Sequence, residues 1–214
     1  MRKSRLVWIA RHGNRIDFVN PDWFLTAEHR YDPHLSEDGH IQAKQLANRL
    51  KGEGISHIFA SPFLRTVQTA NHVAEALDLS IKLEWGICEW LNSDWMTEMP
   101  ETESVEDLCR RFPRIDASYK GGIANYPETG EACLKRAGET AKRLAAEFPE
   151  DMLLVGHGAS VLGSAIGLVG DAETEINASL CCLVKVVRDG GEWSIALNGD
   201  TSHLTDTETV VRFN

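Results

Sequence analysis

Long apolar runs are missing from this sequence, and nothing in it approaches the about 20 residues that a helix needs to cross a bilayer. No membrane span is therefore expected. Met1 to Arg5 is basic in the manner of a secretory leader, but the apolar segment behind it covers only Leu6 to Ala10 before Arg11 interrupts it. That is too short for a leader's core, so a short tail ahead of a first strand is expected instead. Cysteine is sparse: five in 214 residues, an odd number without framework spacing. A disulfide-stapled scaffold is thereby excluded, and reduced thiols in a cytoplasmic setting are expected. Basic stretches are lacking too. At a formal net charge of −10 the field repels nucleic acid and phosphate ligands at long range, so no nucleic-acid partner is expected. Any anion site must then be a local cluster of arginines. His29, His34, His40, His57, His72 and His203 stand at no metal-ligand spacing from cysteines or carboxylates, and neither a metal nor a cofactor is expected.

What is present is an alternation of strand-like and helix-like segments. Leu6 to Ala10 reads as a buried strand, followed by an irregular stretch to Pro33. Ser36, with Glu37 and Asp38 behind it, starts a helix whose apolar face is Ala43, Leu46, Ala47 and Leu50. Ile55 to Ala60 is the next strand, and Ser61-Pro62 reads as an N-cap with proline at the first helical position. Val67, Ala70, Ala74 and Leu77 line that helix, and Leu79 to Leu83 reads as a strand. Residues 86–130 have no dominant period and read as an insertion of short helices and loops. Leu134, Ala137, Ala141, Leu144, Ala145 and Phe148 form a clear helical stripe stopped by Pro149. Met152 to Val155 is a buried strand leading into Gly156-His157-Gly158 and a helix of small residues. Leu180 to Val187 and Glu192 to Leu197 are strands joined by the hairpin signal Asp189-Gly190, which places Cys181 and Cys182 on opposite sheet faces. The expected fold is a single α/β domain over 1–214, a three-layer α/β/α sandwich around a mostly parallel sheet.

In such sheets ligands sit beyond the carboxyl ends of the strands. Arg11-His12-Gly13, Ser61-Pro62 and Gly156-His157-Gly158 all fall at strand ends. Planar guanidiniums suit a phosphoryl group because each can offer paired hydrogen bonds to its oxygens. Arginine neighbours also disfavour a charged imidazole, keeping a ring nitrogen free to attack. A carboxyl could protonate a leaving oxygen, and spacing alone cannot choose between Glu84, Glu89, Asp94 and Glu98. The apolar neighbours Trp85, Ile87 and Trp90 favour Glu89, since desolvation raises a carboxyl's pKa. One competing motif is set aside: Cys182 and Arg188 have the C-x5-R spacing of cysteine-based phosphatases, but the residues between them are β-branched and lack glycine.

Arg11-His12-Gly13, Ser61-Pro62 with Arg65 and Thr66-Val67-Gln68-Thr69-Ala70, and Gly156-His157-Gly158, in that order, resemble the histidine phosphatase (phosphoglycerate-mutase-like) superfamily. Arg11 to Phe18 and Gly86-Ile87-Cys88-Glu89-Trp90 are most similar to the suppressor-of-T-cell-receptor-signalling and ecdysteroid-phosphate phosphatases. The resemblance implies a phosphohistidine formed on His12, with Arg11 and Arg65 on the phosphate, His157 on a phosphoryl oxygen and Glu89 as general acid. Arg15 and Asn14 are further candidates for phosphate contact, although an ion pair of Arg15 with Asp17 that shapes the loop is an equal alternative. The Glu-Arg-His-Tyr-Gly signature of phosphoglycerate mutases is absent, since Trp90-Leu91-Asn92 follows Glu89, so net hydrolysis is expected over mutase chemistry. The expected partner is a small-molecule or peptide phosphomonoester, with self-association left open. The alternatives are a phosphotransferase and a catalytically silent phosphate-binding or interaction module on the same fold.

Overall fold

The computed structural model describes residues 5–20 and 22–205. Of the leader-like segment, residues 1–4 lie outside that range. In chain order the elements are β1 (Arg5–Arg11), the single turns α1 (Ile16–Val19) and α2 (Trp23–Thr26), α3 (Glu37–Leu50), β2 (His57–Ala60), α4 (Leu64–Leu77) and β3 (Ile81–Leu83). A 3-10 turn at Trp85–Ile87 follows, then α5 (Val105–Arg111), α6 (Gly130–Glu147), β4 (Met152–Gly156), α7 (Gly158–Val169), β5 (Leu183–Asp189) and β6 (Glu192–Asp200). The described strands form one sheet of order β3-β2-β4-β1-β5-β6. The first four run parallel, and the β5–β6 hairpin is added antiparallel to β1, so the sheet is mostly parallel as the sequence implies.

Strand β1 shows why its sequence is a continuous apolar run: both faces of the sheet are covered. Trp8 and Ala10 point into a core shared with α3, α4 and α5, while Val7 and Ile9 point into a second core under α6 and α7. Burying each such large apolar side chain contributes roughly 1.5–3 kcal/mol, so these two cores hold the three layers together. Ser36 caps α3 by accepting a hydrogen bond from Gly39 N–H at 3.1 Å, as its sequence position implies. Helices α6 and α7 pack backbone to backbone: a Cβ on Gly167 would come within 2.3 Å of Gly138 Cα, and one on Gly163 within 2.6 Å of Leu134 O.

Three expectations are corrected. Ser61-Pro62 does not cap a helix, because α4 starts two residues later behind Phe63, and the Ser61 hydroxyl is used elsewhere. The strand expected at Leu79 begins at Ile81. Cys181 and Cys182 precede β5 rather than alternating within it. Cys181 sits in the left-handed region (φ 53°), and its N–H donates to His12 O at 3.0 Å, a turn that ties the hairpin to the end of β1.

Candidate active site

The site follows from the register of the parallel strands. Arg11 at the end of β1 pairs with Gly156 at the end of β4, so the next residues, His12 and His157, emerge side by side. Ala60 of β2 pairs with Val155, which brings Ser61 to the same edge. The two imidazoles meet edge to face with centroids 5.2 Å apart, and both are fully buried. The His12 backbone is fixed at both ends, its N–H donating to Gly156 O at 3.0 Å and its carbonyl accepting from Cys181. Gly13 follows because α3 leaves no room for a side chain: a Cβ there would lie 2.6 Å from Gly39 O.

His12 Nδ1 lies 2.7 Å from Gly13 O, and since a carbonyl only accepts, Nδ1 carries the proton. That leaves Nε2 with a bare lone pair, and it has no hydrogen-bond partner in the protein. Burial, and then the neighbouring Arg65, His157 and Arg11, hold the His12 pKa well below the usual imidazole value. Around it are further buried nitrogens: Nε of Arg11 and Nε of Arg65 have no hydrogen-bond partner, while Nη1 of Arg65 and Nδ1 of His157 have only longer contacts to the Asp32 and Glu89 carboxylates. Buried donors are rarely left unsatisfied, so their convergence marks an anion site.

Arg65 enters from the first turn of α4 and is 1% exposed. Its Nη2 donates to Glu89 Oε2 at 3.1 Å, and its Nη1 lies 3.6 Å from Asp32 Oδ1. Asp32, which the sequence reading passes over, is buried and also accepts from Leu64 N–H at 2.7 Å. Burial lifts its pKa to about 6 against the pull of Arg65. Arg11 donates from Nη1 to Ala178 O at 2.8 Å. Arg15 pairs with both oxygens of Asp17, at 2.9 and 2.5 Å, which is the ion pair considered for it, and it also lines the cleft. Asn14 is buried in the same loop, and its Oδ1 accepts from Arg15 N–H at 3.0 Å.

His157 Nε2 lies 2.9 Å from Ser61 Oγ, and its Nδ1 is 3.3 Å from Glu89 Oε2. Burial pushes the His157 pKa down to about 4, against the pull of Glu89. Glu89 itself overturns one expectation. Burial does raise its pKa, but His157, Arg65 and Arg15 together outweigh burial and hold the carboxyl well below its ordinary value. Among the rival carboxyls, Glu84 is fully buried and saturated: it accepts from Gly86 N–H, Gly122 N–H, Tyr119 OH and Arg143 at 2.6 to 2.8 Å. Asp94 and Glu98 are exposed, and neither lines the cleft, whereas Glu89 does.

Arg11, Arg15, Arg65 and Glu89 line a cleft of about 800 Å³, with Phe18, Phe24, Tyr31, Trp90 and Trp95 among its walls, and His12 and His157 lie buried behind them. Trp90 and Trp95 meet edge to face at 4.9 Å. His12, Glu89 and His157 each place a ligand atom within 4.8 Å of the others, the only such three-donor set found among the described residues. A cation there would face Arg65, which already binds Glu89, so the charge around the set favours an anion.

Comparison with known proteins agrees with this geometry. The sequence profile of the histidine phosphatase superfamily (branch 1) matches residues 7–201. The chain is 28% identical over 216 residues to the probable phosphoglycerate mutase GpmB of Erwinia tasmaniensis, covering 94% of this chain and 95% of that protein. It is 32% identical over 209 residues to human ubiquitin-associated and SH3 domain-containing protein A, covering 79% of this chain and 31% of that longer protein. In structure it resembles the ecdysone phosphate phosphatase of Bombix mori in complex with tungstate, with a TM-score of 0.79, 19% identity and 98% of each chain covered. A fold with paired histidines and arginines at the carboxyl edge of its parallel strands, and a profile match over nearly its whole length, place the chain in the histidine phosphatase superfamily.

Proposed function

We propose that this chain is a phosphomonoester hydrolase domain that works through a phosphohistidine on His12. The observation that carries the reading is the bare, buried Nε2 of His12 set beside partnerless guanidinium nitrogens of Arg11 and Arg65. In the first step Nε2 attacks phosphorus, the P–O bond to the leaving group breaks, and Glu89 gives its proton to the departing oxygen. Arg11, Arg15 and Arg65 hold the phosphoryl oxygens, and His157 donates to one of them as charge spreads. Asn14 serves by holding the loop that aims Arg15, in place of a direct phosphate contact.

Without substrate, the low pKa of Glu89 leaves it without a proton to give. A bound phosphoryl dianion offsets the guanidinium field that keeps the carboxyl ionised, so the acid is charged with its proton as substrate arrives. In the second step the Glu89 carboxylate takes a proton from water, which attacks the phosphohistidine and releases phosphate. The guanidiniums neutralise the phosphoryl charge, so the reaction needs no divalent metal. Hydrolysis is preferred to mutase chemistry because the mutase signature after the acid is absent, and a complete site argues against a silent module. The five free thiols fit a reducing compartment such as the cytoplasm, and none of the described helices is long and apolar enough to cross a membrane.

The test is rapid quench with a labelled substrate after chelation of divalent metals. Label is expected on His12 in an acid-labile, base-stable linkage, at an unchanged rate. Label on a cysteine or serine, turnover by His12→Ala, or loss of rate on chelation would each contradict the mechanism.

A further inference from the structure

We infer that Arg136, paired with Glu128, is a positioning residue for the general acid. This inference rests on Glu89 being that acid. The segment from Trp85 to Leu91 is a 3-10 turn followed by irregular chain, so most of its carbonyls lack ladder partners. One guanidinium from α6 gathers them. Arg136 Nη1 donates to Trp85 O at 3.3 Å, Gly86 O at 3.0 Å and Cys88 O at 3.5 Å, and Nη2 donates to Glu89 O at 3.1 Å. Glu128 completes the grip from the other side. Its carboxylate receives Arg136 Nε at 3.0 Å and Leu91 N–H at 3.1 Å, and its backbone carbonyl receives Trp90 Nε1 at 3.1 Å. A second contact between Arg136 Nη2 and Glu128 Oε1 closes the pair.

Arginine is required because its planar fork offers five donors in fixed directions, which a lysine's single ammonium cannot reproduce. Both side chains are mostly buried, at 12% and 7% exposure, which strengthens each bond and makes each lost one costly. Neither residue lines the cleft; both line a separate hollow of about 660 Å³. The pair therefore acts on the backbone beneath Glu89 and not on substrate. Binding of the phosphate falls to Arg11 and Arg65, which the pair does not touch, so its removal should separate acid catalysis from binding.

The experiment compares Arg136→Lys, Glu128→Gln and Glu89→Gln on an alkyl phosphate and on p-nitrophenyl phosphate. A general acid matters most for a basic leaving group and contributes about 10²- to 10⁴-fold when well placed. Arg136→Lys is expected to lose at least about tenfold more kcat on the alkyl ester than on the aryl ester, with KM within about twofold on both. Glu128→Gln should show the same pattern and serves if the lysine variant does not fold. In an Arg136→Lys, Glu89→Gln double variant the extra alkyl-ester loss of the single Arg136 variant should vanish. Equal losses on both esters for the clamp variants, while Glu89→Gln discriminates between them, would overturn the positioning role. If Glu89→Gln does not discriminate either, the acid assignment fails and the inference falls with it.

Discussion

Replacing Ser61 with alanine removes a single oxygen from a buried site, and the structure gives the change a defined cost. Ser61 and His157 are both fully buried, with Oγ and Nε2 2.9 Å apart. At neutral pH the imidazole is uncharged, because burial takes its pKa down to about 4. Its Nδ1 faces the Glu89 carboxylate and so carries the proton, which makes Nε2 the acceptor of the Ser61 hydroxyl proton. The alanine variant leaves Nε2 buried with no protein donor, a loss of about 1–3 kcal/mol. The ring can escape by moving its proton to Nε2, but Nδ1 then no longer donates toward the phosphoryl oxygens.

If that energy is expressed in the transition state, kcat falls by roughly one to two powers of ten, at about 1.4 kcal/mol per tenfold. KM should move little, because Arg11 and Arg65 keep their positions. Steady-state kinetics on an aryl phosphate, with a thermal melt beside it, separates this from a mere loss of stability. In a His157→Ala background the Ser61 change should cost nothing further in rate. A variant with parental kcat and only a lowered Tm would refute the reasoning and return Ser61 to the role of a chain-turning residue.

Two further outcomes are expected. The aromatic cleft walls favour flat or apolar leaving groups, so kcat/KM should be higher for an aryl phosphate than for 3-phosphoglycerate, and Trp95→Ala should narrow the gap; unchanged selectivity would mean that the aromatics only pack the insertion. Burial lifts Asp32 from 3.8 to about 6, so the folded chain binds its proton more tightly than the unfolded chain does, and the stability it contributes is full at low pH and lost as pH rises through 6. Denaturant titrations should then show the parent losing roughly 2 kcal/mol relative to Asp32→Asn between pH 4 and pH 7.5, and a difference that does not vary with pH would count against the buried-acid reading.

The sequence reveals most where function is concentrated at strand ends. Arg11-His12-Gly13 and Gly156-His157-Gly158 are adjacent in space because parallel strands place their carboxyl ends together, a rule that needs only the strand assignments. It reveals less where a residue's partner is remote. Ser61 has the local chemistry of a cap, and only the packing of β2 against β4 sends its hydroxyl to His157 instead. The pKa of Glu89 goes the other way from its apolar neighbours because His157 after β4, Arg65 of α4 and Arg15 from the loop after β1 converge on it. Asp32 and Arg136 carry no motif at all; each matters through contacts about 30 to 50 residues away in the chain.

The bare seam between α6 and α7 has a consequence for how this protein tolerates change. Helix α7 begins at the residue after His157, and α6 carries Arg136, which grips the backbone of Glu89. Two neighbouring groups of the candidate site, His157 and Glu89, are thus bolted to one pair of helices, with no side chain between Gly138 and Gly167 to absorb a shift. A methyl at Gly163 or Gly167 would wedge that pair open and move both groups together. In a saturation screen, positions deep in an apolar layer would then score as though they were part of the chemistry, on a spacing of four residues along α7. The boundary between scaffold and site in this protein would then not follow distance from His12; it would run through the helix pair.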